Sequence, residues 1–148
     1  MTVTLRATSF VRVGFVTEKP WTEIELGAQS RHLRRKLIIL NDGSEVLVDF
    51  AKPVKLEDGD CLVLEDGRLI QIAAQPEDLL EVRGHDGVHL AQLAWHIGNR
   101  HLEAQIEKGR ILIRPDAVIA RMLEGLGAKV ANTREKFSPE HGAYSHAH

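Results

Sequence analysis

Apolar residues change their spacing near Ala74-Gln75-Pro76, and that change divides the chain. Before it, they alternate or run in short blocks between turn residues. Val3, Leu5 and Ala7 alternate with polar neighbours, and so do Val11, Val13 and Phe15; this is the period of two that lets a strand bury one face. Leu37–Leu40, the turn Asn41-Asp42-Gly43-Ser44 and Val46–Phe50 predict a hairpin, because Asn, Asp and Gly accept the backbone angles of tight turns. Cys61–Leu64, Glu65-Asp66-Gly67 and Leu69–Ala73 predict a second, with Pro53 separating the two. Short strands, frequent turns and no helical period predict a small antiparallel β domain, a sandwich or open barrel, over residues 1–74.

Beyond Pro76 the pattern is mixed. Leu79–Arg83 predicts a strand. Val88, Leu90, Ala91, Leu93, Ala94, Trp95 and Ile97 predict a helix, with Asp86 as N-cap and Gly98-Asn99 ending it and reversing the chain. Leu102–Ile106, Glu107-Lys108-Gly109 and Arg110–Arg114 predict a hairpin. Pro115-Asp116 opens a second helix with Val118, Ile119, Met122, Leu123 and Leu126 on its inner face, and Gly127 closes it. Lys129–Asn132 predicts a last strand. The order β-α-β-β-α-β is the split-βαβ, ferredoxin-like arrangement, expected over residues 76–136. Residues 137–148, with Pro139, Gly142 and little periodicity, are expected to form a flexible His-containing tail. The fold class is α+β.

Composition narrows the function. A net charge of -2 speaks against a strongly basic nucleic-acid binder. No apolar run nears the ~20 residues that span a bilayer, and the first residues do not read as a signal peptide, so a cytoplasmic protein is expected. The single cysteine, Cys61, leaves no intramolecular disulfide and no all-Cys metal site, and it reads as a small buried hydrophobe. There is no Gly-rich phosphate loop and no G-x-S-x-G, so nucleotide hydrolysis and nucleophilic catalysis have no visible apparatus. Arg31-His32-Leu33-Arg34-Arg35-Lys36 reads as a charged strand edge, with partner docking as the alternative.

Histidine is the remaining signal. There are 8, and only His32 precedes residue 80. His85 and His89 stand four apart, a spacing that shares a helix face, but no Glu follows the first and His85 precedes the expected N-cap. They read as two solvated side chains. His146 and His148 form an H-x-H pair that can chelate one ion. His101 emerges just past the first helix, where an imidazole can meet a metal or a partner; the plainer reading of His96–His101 is a helix C-cap with one packed and one surface histidine.

The segment Trp95-His96-Ile97-Gly98-Asn99-Arg100-His101 resembles the (Y/W)H(L/I)GNRH motif of the UreE urease accessory proteins, a family of nickel metallochaperones. Pro115-Asp116-Ala117-Val118-Ile119, Met122-Leu123, Leu126-Gly127 and the stretch from Phe137 to Tyr144 are similar to the family's next two blocks, in the same order. The resemblance covers about residues 76–148. It extends more loosely to the basic run and the Asp42-Gly43 hairpin.

The resemblance implies an N-terminal domain that binds peptide or partner protein and a C-terminal domain that dimerises. It implies that His101 meets its symmetry mate at the dimer interface and binds nickel, that His146 and His148 complete the shell, and that His96 is structural. His141 receives no role. Many members carry a long run of tail histidines; this chain has one H-x-H, which implies few exchangeable ions. The expected function is delivery of nickel to the urease apoenzyme, alongside the accessory GTPase, by a homodimer with a metal-promoted tetramer as its extension. Zinc or copper is expected to substitute in vitro. No bond is broken, so no enzyme is expected, and neither nucleic acid nor membrane is a partner. The alternatives are a protein-interaction module with incidental metal binding and a metal-dependent hydrolase, for which Asp86 and Glu103 are the nearest acids to the motif.

Overall fold

The structure is a computed structural model that describes residues 4–140. The chain forms two compact units, Met1–Gln75 and Pro76–His148. Both mix strands with short helical elements, and together they are α+β with two sheets and two α-helices.

The first unit is one six-stranded sheet built from β1 (Thr4–Val11), β2 (Thr22–Leu26), β3 (His32–Ile39), β4 (Glu45–Lys55), β5 (Cys61–Leu64) and β6 (Leu69–Ala74). Both expected hairpins are present. In the first, Gly43 takes φ +87° and the Ser44 N–H donates to Asp42 Oδ1 at 2.8 Å. The sheet order is β2-β6-β5-β1-β4-β3. The expectation of an antiparallel domain is corrected here: β1 runs parallel to β4, and β2 parallel to β6. Turn residues mark where consecutive strands reverse. They carry no information on which distant strands then pair.

Two local readings also change. β1 stops at Val11, and Val13–Phe15 form a 3-10 turn that leaves Val13 and Phe15 exposed. Pro53 lies inside β4 and does not end it. Pairing jumps from Leu33↔Val54 to Arg35↔Asp49, so Phe50–Pro53 bulge opposite Arg34, and proline's missing N–H falls where the ladder is already open. The alternating residues Val46, Val48 and Phe50 point inward with Leu62, Ile70 and Ile72 to make the core. Cys61 is buried as expected, and burial first, then Asp60, pushes its thiol above the ordinary value.

The basic run is not wholly a solvated edge. β3 does lie at the sheet's edge, but Arg31 is completely buried. Its Nε donates to the Leu56 carbonyl at 3.1 Å and its Nη1 to the Leu26 carbonyl at 3.0 Å.

The second unit runs β7 (Glu77–Arg83), α1 (Gly87–Asn99), β8 (Gln105–Glu107), β9 (Arg110–Ile113), α2 (Ala117–Gly125) and β10 (Lys129–Glu135). Its sheet is antiparallel in the order β10-β7-β9-β8. The predicted cap at Asp86 forms, and Asp116 caps the second helix as well. Asp86 Oδ1 accepts from the His89 N–H at 2.8 Å, and Asp116 Oδ1 from the Val118 and Ile119 N–H groups at 2.9 and 3.0 Å. Leu93 and Ile97 of α1 and Ile119 and Leu123 of α2 pack on Leu80, Val82, Ile111 and Ile113. Not every apolar helix residue turns inward. Val88 is 70% exposed, Trp95 65% and Val118 68%. Two buried residues four apart define each helix's inner stripe, and these three lie off it.

The tail expectation is corrected for residues 137–140. Phe137 is fully buried, and the Arg114 guanidinium stands 5.0 Å from its ring centre. The Ser138 N–H donates to Gln105 Oε1 at 2.9 Å, and Glu140 bridges Ala104 through two backbone hydrogen bonds of 2.7 and 3.1 Å. A lone aromatic among polar residues reads as tail in a sequence, yet one buried ring is enough to seat the segment. His141, His146 and His148 lie outside the described residues.

Candidate metal centre

His101 owes its position to the way α1 ends. The His101 N–H bonds the Gly98 carbonyl at 2.9 Å, and the Leu102 N–H bonds the Ile97 carbonyl at 3.4 Å. This crossed pair is a Schellman ending, with Ile97 in the core cluster and half-buried Leu102 packed against it. Such an ending needs one residue in left-handed backbone. Gly98 and Asn99 were expected to reverse the chain, but both remain in the helix. The reversal falls on His101, at φ +61°, the one non-glycine residue with positive φ among those described. A β-carbon there costs roughly 1 kcal/mol, and glycine avoids it. A strained position held by an exposed imidazole suggests that the side chain is wanted there. Replacing His101 with Gly should therefore leave the unit about 1 kcal/mol more stable than replacing it with Ala. Denaturant melts of the two variants check this; equal midpoints would remove the strain argument.

Around His101 lies a pocket of about 240 Å³ lined by Leu102, Glu103, Ile113, Arg114, Pro115 and Asp116. Its acids are engaged. Glu103 Oε1 accepts from Arg114 Nη1 at 2.6 Å, and Asp116 caps α2. Among the described residues, no group of three or more His, Cys, Asp or Glu is placed to hold a metal.

His85, His89 and His96 are placed differently. His85 and His89 come together with rings stacked at 4.5 Å; His85 is exposed, as expected, while His89 is half-buried and its ring is engaged. His89 Nδ1 accepts from the His85 backbone N–H at 2.9 Å, so Nε2 carries the proton and donates to the Leu126 carbonyl at 2.8 Å. This neutral ring braces the start of α1 to the end of α2 and keeps no lone pair for a metal. Gly127, at φ +90°, lets the chain leave α2 beside it: an added β-carbon would meet His85 Nε2 at 3.2 Å. His96 is half-buried and edge-on to Trp95 at 5.1 Å. Sequence reasoning missed the His89 brace and the Glu103–Arg114 pair. The only signal for the first was the four-residue spacing, which suits a brace as well as a clip.

A family model for the N-terminal domain of UreE urease accessory protein matches residues 11–75, and one for the C-terminal domain matches residues 77–148. The urease accessory protein UreE of Brucella anthropi is 55% identical over 144 residues, covering 97% of this chain and 85% of that protein. The chain belongs to the UreE urease accessory protein family. UreE of Mesorhizobium japonicum is 54% identical, with 97% and 74% covered, and UreE 1 of Brucella suis is 55% identical, with 97% and 89% covered. The names of these UreE proteins describe a helper of urease. Among the described residues of this UreE-family chain, no helix is long and apolar enough to cross a membrane.

Proposed function

We propose that this chain is a homodimeric nickel chaperone that delivers its ion to the urease apoenzyme during active-site assembly, acting with the accessory GTPase in the cytoplasm. The observation that carries this reading is His101: an exposed imidazole in strained backbone, with no complete donor set beside it among the described residues. A two-fold axis would supply an identical His101 from a second copy. The exposed apolar residues Val88 and Trp95 on α1 give a second copy something to bury. His146 and His148 are proposed to complete the shell and then leave it, which suits transfer better than storage. The strand order β10-β7-β9-β8 with two crossover helices supports reading residues 76–136 as a ferredoxin-like dimerisation domain. Residues 1–74 would dock the client. Zinc and copper suit the same ligands, and binding should weaken toward acid pH because the imidazoles must be neutral.

The test is calorimetric nickel titration, with mass by light scattering, on the wild type and on His101→Gly, which relieves the backbone while removing the ligand. A dimer whose nickel affinity falls at least about tenfold in the variant is expected. Equal binding by both proteins would sink the shared-site reading.

A further inference from the structure

The sheet of the first unit has two edges, β2 and β3, and neither has a strand partner on its outer side among the described residues. Between them lies a cleft of about 620 Å³ lined by Glu23–Leu26 on one wall and by Lys36–Ile39 with Asn41 on the other. Two open edges facing one gap form a template for an added strand.

The walls also specify what kind of strand. Ile24 and Leu26 pack inward but stay half-buried, and Ile38 is buried beside them. Apolar side chains of an added strand would cover these. The outer face differs on its two sides. Glu23 and Glu25 are exposed on β2, while Leu37 and Ile39 are 48% and 56% exposed on β3. A side chain between them meets carboxylates on one hand and aliphatic surface on the other. Lys and Arg satisfy both, with the stem over Leu37 and Ile39 and the charge against Glu23 and Glu25. The basic lining residue, Lys36, pairs with inward-facing Val48 and so lies on the opposite face. Arg35 lies on the outer face but is 3.4 Å from Asp49.

We propose that this cleft binds an extended peptide in which Lys or Arg alternates with apolar residues, added as a strand between β2 and β3. This deepens the client-docking role proposed for residues 1–74 and is independent of the metal site.

The test is amide NMR on the full chain, titrated with a capped heptapeptide of alternating Lys and Val. Shifts clustered at residues 23–26 and 36–39 are expected, with affinity falling about tenfold in the Glu23→Lys/Glu25→Lys double variant as two cross-strand ion pairs are lost. A Glu–Val peptide should leave those amides unmoved. Shifts elsewhere, equal binding by the double variant, or equal binding of a peptide with the same residues in two blocks would overturn the proposal. Nickel titration of the double variant separates the two readings. It should match wild type, so that a failure of peptide binding leaves the metal proposal standing, and the reverse.

Discussion

Asp60→Ala should destabilise the first unit by about 4 kcal/mol, enough to unfold many single domains. Asp60 is 1% exposed, and each of its interactions is local to this unit. Its Oδ1 accepts from the Val13 N–H at 2.9 Å. Its Oδ2 accepts from Arg12 Nη1 and from the Glu57 N–H, both at 2.8 Å. One carboxylate thus ends β1, holds the 3-10 turn and closes the turn before β5. Alanine strands two backbone donors and takes the carboxylate from Arg12, whose Nη1 keeps the Lys55 carbonyl at 2.9 Å. Removing one side of a buried set costs more than the set contributes, because the groups left behind are dehydrated and unpaired. Asp60→Asn keeps one acceptor oxygen and should cost roughly half as much. Urea melts followed by circular dichroism measure both. A loss below about 0.5 kcal/mol for the alanine variant would mean that water replaces the carboxylate.

The second large effect is expected at Arg110. Its guanidinium joins all four strands of the second sheet: Nη1 is 2.8 Å from Glu81, Nη2 is 2.6 Å from Glu135 and Nε is 3.1 Å from Glu107. Its side chain is 20% exposed, so solvent screens the network only in part. Arg110→Met keeps the stem's packing but leaves three carboxylates facing each other, and should cost about 2 kcal/mol. The acid response should change as well. Arg110, followed by Thr133, holds the Glu135 carboxyl down to about 2 from its ordinary 4.5. Arg83 and then Arg110 hold Glu81 low. A carboxyl whose folded value is depressed stabilises the fold above its unfolded value, and that contribution drains away as pH falls toward the folded value. Wild type should therefore lose stability between about pH 4.5 and pH 2. In the variant, protonation relieves repulsion, so its loss over the same window should be shallower or absent. Melts at a series of pH values give the difference. Parallel profiles for the two proteins would show that Arg110 does not set these carboxyls.

Much of this was legible beforehand because it is local. A cap needs an Asp one residue before a helix, so Asp86 could be read directly. The turns at Asn41–Ser44 and Glu65–Gly67 announce themselves by residue type. The second unit's element order followed from alternating periods. The seven-residue motif around His101 picked out the residue on which the metal proposal rests.

What could not be read depends on distant groups. The charged stretch Glu57-Asp58-Gly59-Asp60 looks like a solvated turn, and only the return of Arg12 and Val13 to Asp60 makes that carboxylate buried. Arg31 looks like surface until the Leu26 and Leu56 carbonyls surround it. The parallel pairs β1–β4 and β2–β6 join strands far apart in the chain, and no turn residue encodes such a pairing. The same holds for the left-handed angle at His101, which the helix-ending bonds to the Ile97 and Gly98 carbonyls place three residues beyond the glycine. By itself the sequence determined the two hairpin turns of the first unit, the element order of the second and the cap at Asp86, because those follow from each residue's own backbone preferences and the spacing of its apolar neighbours. Only the tertiary structure decided which charges are buried, which sheet edges stay open and which residue carries the strain, because each depends on groups that meet only once the chain has folded.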